Sequence, residues 1–273
     1  MIEPEHPVSP RAVGKWLCHY TTAGAAFEYI LPKGQLRLSP YRLMRDPLDE
    51  RDLTFAAAFF PDAIPAAEDG YWNLVAKIAR VRGDMRLLSL TMDADHYDEG
   101  DFLYAFGWAR ARLWEQYASN HAGVCLVFSR ERLHAALRSS LDQQGSSYRG
   151  AVEYSPRGFY DSPSRTVVDA NLLDLTTQDE RIVEWVRERH VDLFFRKTDD
   201  WRSEHEYRYV LASPGEDHAF ADFGNALARV IVGSRFARWQ VPGAQAVCER
   251  VGVELRRMTW EAGQPYPGRP RAT

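Results

Sequence analysis

Lysine is scarce in this chain. Of its 34 basic residues only Lys15, Lys33, Lys77 and Lys197 are lysine, a bias that reads as a trace of base composition. Cysteine is scarce too. Cys18, Cys125 and Cys248 are odd in number and far apart, with no C-x-x-C, which excludes a disulfide framework and points to a reduced, cytoplasmic chain. No run of about 18 apolar residues is present, so no membrane-spanning helix is expected. The opening MIEPEHPVSPRAVGK has no apolar stretch of the secretory kind. A strong charge of either sign is also missing. The formal net charge of −4 over 273 residues gives no sign of a nucleic-acid or membrane surface. Neither G-x-G-x-x-G nor G-x-x-x-x-G-K-[ST] occurs, which removes the Rossmann fingerprint and the P-loop, and no internal repeat is visible.

What is present is enough for a sizeable core: 45% hydrophobic and 12% aromatic residues. Residues 1–12 form a proline-rich, flexible lead-in, 13–262 a single domain, and 263–273 a disordered tail. Strands are expected over 16–21, 35–39, 86–92, 123–128, 148–155, 204–212, 218–223, 227–233 and 253–260 from alternation and β-branched content. Helices are expected over 22–31, opened by a threonine cap and stopped by Pro32 and Gly34. They are also expected over 50–62, 70–82, 101–119, 129–141 and 239–250, with a helical insert around 165–195. This order is not a βαβ alternation. It implies an α+β domain with a mixed, mostly antiparallel central sheet and helical insertions.

Three stretches carry candidate chemistry. In HYT, at the end of the first strand, His19 and Thr21 share a face. An imidazole there suits a sugar hydroxyl, though a hydrogen-bonded histidine at a sheet edge is the commoner use. In WEQYASNHAGVCLVF, Trp114 and Tyr117 share a helical face and His121 and Gly123 make the turn into a strand. Trp114 and Cys125 read as core, whereas Tyr117 and His121 stay open. Zinc on Cys18, His19, His121 and Cys125 is disfavoured, because adjacent strand residues point to opposite faces. Finally, WRSEHEYRYV places Glu204, Glu206 and Arg208 at alternate positions of an expected strand. Carboxylates about 6–7 Å apart on one face raise each other's pKa unless a cation intervenes. The face is either a solvated charge ladder or the wall of a cleft, and the pattern leaves both open.

In chain order the sequence carries HYT (19–21), I-L-x-x-G-x-L-x-x-S (30–39), Asp46-Pro47, W-x-x-Y-x-x-x-H-x-G-x-C-L-x-F (114–128), V-x-Y (152–154), F-x-K-x-x-x-W-x-x-E-x-E-x-R (195–208) and V-I-V-G (230–233). This ordered set resembles the bacterial domain-of-unknown-function family numbered 2971. One departure is Met44-Arg45-Asp46-Pro47-Leu48-Asp49, where the family usually has F-N-D-P-x-E. More distantly, H-x-T, a helix with I-L, G-x-L and a late E-Y-x-V strand are similar to ADP-ribosyltransferase-like folds. That resemblance implies NAD as co-substrate and an unknown protein or nucleic-acid acceptor. It implies Glu206 at the ribose and Glu204 at the acceptor nucleophile. It also implies His19 donating to the other ribose with support from Thr21, Tyr20 among the binding residues, Tyr41 or Tyr117 stacking on nicotinamide, and Arg208 on a carboxylate or the pyrophosphate. His121 is kept among the binding candidates, and no metal is expected. The competing expectation is a non-catalytic nucleotide- or partner-binding module of a bacterial defence or toxin system; a hydrolase of another nucleoside or sugar comes third. The enzyme reading requires the His19 and Glu206 motifs within about 15 Å of each other along one pocket.

Overall fold

The computed structural model describes residues 9, 12–44, 64–158, 179–215 and 217–270. The expected helix over 50–62, the Asp46-Pro47 motif and the first part of the 165–195 insert lie outside the described residues. Twelve described strands follow in chain order: β1 (Trp16–Thr21), β2 (Gln35–Pro40), β3 (Arg86–Met92), β4 (Val124–Ser129), β5 (Ser147–Ala151), β6 (Glu153–Ser155), β7 (Arg196–Thr198), β8 (Glu206–Leu211), β9 (Ala219–Asp222), β10 (Leu227–Val232), β11 (Glu254–Glu261) and β12 (Gln264–Gly268). Ten of them form one sheet, running β12-β11-β10-β4-β1-β3-β2-β9, with β8 on β3 and β5 on β8. Only β10–β11 in this sheet and the separate β6–β7 pair are parallel. The fold is therefore α+β with a mixed, mostly antiparallel sheet.

Both faces of the sheet centre are covered, which is why VCLVF reads as continuous apolar residues rather than alternating ones. Val124, Leu126 and Phe128 join Leu17, Leu36, Leu38, Val230 and Val232 in one core. Cys125 and Val127 join Cys18, Tyr20, Trp108, Trp114 and Met258 in another. A third core packs the long Ile64–Asp84 helix against Trp185, Phe194 and Val210. Thr22 caps the first helical segment, its Oγ1 accepting from the Ala25 N–H at 3.1 Å. That segment is a π-helical turn over Ala25–Ile30, running into Leu31–Lys33 and ending on left-handed Gly34.

The structure departs from expectation in four places. The aromatic stretch 101–119 is three short helical pieces, Phe102–Ala105, Gly107–Ala109 and Ala111–Gln116, because Asp93 Oδ1 accepts from the Gly107 N–H and holds that chain bent. The strand expected over 148–155 is two strands that pair with different partners. The strand expected from Glu204 begins at Glu206, since Glu204 ends a 3-10 turn and His205 is left-handed at φ 46°. Residues 264–268, placed in a disordered tail, form edge strand β12. Ala262 and Gly263, both at positive φ, make the two-residue hairpin turn, and the prolines at 265 and 267 are tolerated on an edge strand.

The feature that positions the site is a fork. Strand β3 pairs with β8 along Arg86–Thr91. On its other edge it pairs with β1 only through Thr91 and Met92, and with β2 only through Leu87 and Arg86. Between these, Leu88, Ser89 and Leu90 have no strand partner on that edge among the described residues. Strands β1 and β2 diverge from β3 there, and the gap opens into a cleft.

Candidate active site at the sheet fork

The cleft has a volume of about 1100 Å³ and its walls include His19, Thr21, Ser89, Tyr117, Lys197, Glu204, Glu206 and Arg208. Strand register explains how these residues meet. Ser89 is opposite Arg208 and Thr91 is opposite Glu206, so all four share one face of the sheet. Cys18 is opposite Thr91, which puts His19 on the other face. The gap in the sheet joins the two faces. His19 crosses it, its Nδ1 lying 3.3 Å from the Ser89 carbonyl oxygen. Glu206 and His19 therefore both reach Ser89, one through its side chain and the other through its backbone. Strands β1 and β8 flank β3 on opposite sides, about 10 Å apart by two inter-strand spacings. The two motifs thus fall within the span required of them.

The charged face of DWRSEHEYRYV points inward. Glu204, Glu206 and Arg208 are 6%, 4% and 1% exposed, and Lys197, from β7, is 7% exposed. Lys197 Nζ lies 3.1 Å from Glu204 Oε2 and 3.0 Å from Glu206 Oε2. Arg208 donates to Glu206 through Nε at 2.7 Å and Nη2 at 3.1 Å, and through Nη1 to the Phe194 carbonyl at 2.6 Å. Two cations and two carboxylates form a buried, formally neutral quartet.

The two carboxylates are nonetheless unlike. Glu206 receives both Arg208 bonds, Lys197 and the Ser89 side chain, which fill the roughly four lone-pair sites of a carboxylate. Burial alone would raise its pKa, but Arg208 and Lys197 outweigh that and hold it down at about 2. Glu204 accepts one bond on each oxygen, from the Tyr117 hydroxyl at 2.9 Å and from Lys197. Its pKa is raised, chiefly by burial and further by Glu206, against the pull of Lys197. Glu204 is therefore the more basic of the two and keeps acceptor capacity. Burial, with the Glu204 charge beside it, also pushes the Tyr117 hydroxyl up.

His19 has its pKa lowered to about 4, first by burial and then by the Arg37 charge, against the Ser89 hydrogen bond. It is neutral at pH 7. A carbonyl only accepts, so the proton sits on Nδ1 and donates to Ser89. This corrects the expectation that His19 donates to a ribose: the remaining Nε2 can only accept. Other expectations change as well. Tyr41 is not a cleft residue; it is 2% exposed, edge-to-face on Phe194 at 5.2 Å and under the Arg82 guanidinium. His121 is not a cleft residue either. It stacks on Trp114, and its carbonyl accepts from the Arg235 N–H. Arg208 pairs with a carboxylate as expected, through Nε and Nη2, and its third nitrogen is engaged by the Phe194 carbonyl. Tyr20 lines the cleft, but its hydroxyl donates to the Gly107 carbonyl at 2.7 Å.

The separate motif blocks converge on the quartet. Tyr154 of V-x-Y accepts the Glu206 backbone N–H on its hydroxyl at 2.9 Å. Tyr117 precedes a turn in which Ser119, Asn120 and His121 are all left-handed. Gly123 and Gly233 close that turn. A Cβ on Gly233 would sit 2.0 Å from the His121 carbonyl oxygen, and one on Gly123 2.4 Å from that of Thr21. Residues 113–209 match the family described as Protein of unknown function (DUF2971). The matched segment carries Tyr117, Lys197, Glu204, Glu206 and Arg208, so the chain is similar to that family across the quartet. No curated protein and no solved structure matches the chain.

Sequence reasoning missed two site residues: Ser89, which belongs to no quoted motif, and Lys197. The signal for Lys197 was the scarcity of lysine, together with its place in F-x-K-x-x-x-W, where Trp201 lies under its ammonium at 4.6 Å. Among the described residues no cluster of three or more His, Cys, Asp or Glu suits a metal ion. No described helix is long and apolar enough to cross a membrane.

Proposed function

We propose that this protein is an NAD-consuming enzyme of the ADP-ribosyltransferase type, with its ligand in the fork between β1 and β2. The observation that carries the reading is the meeting of His19 and the Glu204–Arg208 segment around Ser89 in one cleft. Glu204 is the carboxylate that meets the ligand. In the proposed step the bond between ribose C1′ and the nicotinamide nitrogen breaks, and its electron pair leaves with nicotinamide. The acceptor oxygen or nitrogen bonds to C1′ and its proton passes to Glu204. The Glu204 charge stabilises the cationic sugar as it forms. Tyr117, on the cleft wall and bonded to Glu204, stacks on the nicotinamide ring. His19 Nε2 accepts from a ribose hydroxyl. Glu206 is a positioning residue that holds Lys197 and Arg208.

The saturation of Glu206 favours a second reading, a non-catalytic nucleotide- or partner-binding module of a bacterial defence or toxin system. The two part on product. Incubation with NAD, with and without cell extract as acceptor, should release nicotinamide, and a His19→Ala variant should release it more slowly. NAD binding with no nicotinamide from any of these reactions would leave the binding module.

A further inference from the structure

Strand β2 turns its apolar residues, Leu36 and Leu38, into the core and a polar row, Gln35, Arg37 and Ser39, to the cleft. Ser39 is opposite Leu87, so this row shares the face of Ser89 and Arg208. The charged side chains of the cleft are unevenly matched. Four are cations (Lys33, Arg37, Lys197 and Arg208) and two are carboxylates. The inner quartet uses both carboxylates, leaving Lys33 and Arg37 without a counter-charge on the cleft wall. Arg37 is exposed and makes no hydrogen bond or ion pair with the described residues. Lys33 lies 5.6 Å from the Tyr29 ring, with no carboxylate partner. The carboxylate on the same edge, Asp222, accepts from Gln35 at 2.9 Å.

Aromatic surface accompanies these charges. Arg37 is directly opposite Phe220 of β9, which is 45% exposed and lines the cleft, as does Tyr29 at 57%. Directly opposed strand residues have Cβ atoms about 5 Å apart, so the guanidinium and the ring are neighbours. Two unmatched cations beside two open aromatic faces, in a cavity wide enough for a nucleotide, specify a ligand with two phosphate charges next to a flat ring.

We infer that the outer cleft is a nucleoside-diphosphate subsite, with Arg37 and Lys33 taking the phosphates and Phe220 or Tyr29 stacking on the base. This rests on the proposed function in treating the fork as the ligand site, and it assigns the phosphates to Arg37 and Lys33 rather than to Arg208, whose nitrogens are already engaged. ADP, which has no nicotinamide bond to cleave, separates the two claims. Titration calorimetry of the full chain with ADP should show binding that weakens with salt. Arg37→Glu should weaken it by about tenfold or more, Arg37→Lys should restore part of the loss, and adenosine should bind weakly and equally to all three. Arg37 is exposed, so its replacement leaves the core intact, and an unchanged melting temperature verifies this. Equal ADP affinity in wild type and Arg37→Glu, adenosine binding as tight as ADP, or no ADP binding would overturn the subsite. Arg37-dependent ADP binding without nicotinamide release from NAD would keep the subsite and remove the cleavage reaction. Nicotinamide release whose KM ignores Arg37→Glu would do the reverse.

Discussion

Glu204 and Glu206 are two residues apart and chemically distinct, and the difference comes from what each touches. Glu206 is the electrostatic anchor of two buried cations, so Glu206→Gln strands Lys197 and Arg208. Breaking a buried pair in this way costs roughly 3–5 kcal/mol. Glu204→Gln leaves Lys197 paired with Glu206 and should cost clearly less. Urea unfolding of the two variants checks this order, and equal losses would contradict it. The E-x-E-x-R spacing was legible as either a ladder or a wall. Two contacts decided between them, and neither lies within the E-x-E-x-R stretch itself: Lys197 reaches both carboxylates from β7, seven residues before Glu204, and Ser89 reaches Glu206 from β3.

At the scale of elements, most strands were legible because alternation and β-branched content mark them directly. The fork was not, because it depends on which strand pairs with which part of β3. Pairing over Thr91–Met92 and over Arg86–Leu87 leaves no mark on the residues between. Prolines misled at β12, where an edge strand accepts them. The turn over 119–121 shows how the V-I-V-G and H-x-G blocks act together: glycine stands at 233, just after β10, because the His121 carbonyl occupies the space of a Cβ there. Gly233→Ala must displace that turn, and with it Tyr117. The substitution should lower stability by about 2–4 kcal/mol. Thermal unfolding followed by circular dichroism checks it; a melting temperature equal to wild type would sink this account of the turn.

Across the whole molecule, buried titratable groups set the pH response. His19, His134 and His205 all have pKa values lowered to about 4, mainly by burial. Each protonates in the unfolded chain near 6.5 before it does so in the folded one, so stability is lost as pH falls from about 6.5 to about 4. Glu206, held at about 2, adds a further loss below its ordinary carboxylate range, down to about pH 2. Asp93 acts in the opposite sense. Burial outweighs its backbone hydrogen bonds and raises its pKa to about 6, so its contribution is full below about 3.8 and lost as pH rises through 6. Glu204, raised by burial, acts in the same sense as Asp93, and His121, lowered by burial, in the same sense as the other histidines. Four histidines against two carboxyls predict a net fall in the urea midpoint between pH 6.5 and 4. In Asp93→Asn that fall should steepen, since one of the two opposing groups is gone. A midpoint that stays level or rises over this range would refute the assignment.

The proposed chemistry converges on one atom group, the Glu204 carboxylate, the acceptor that the quartet leaves available. The most direct measurement is single-turnover nicotinamide release from NAD by the wild type and by Glu204→Gln, at matched folded concentration. The account predicts release by the wild type and a loss of about 100-fold or more in the variant, with little change in NAD affinity. Release at the wild-type rate by Glu204→Gln would contradict it.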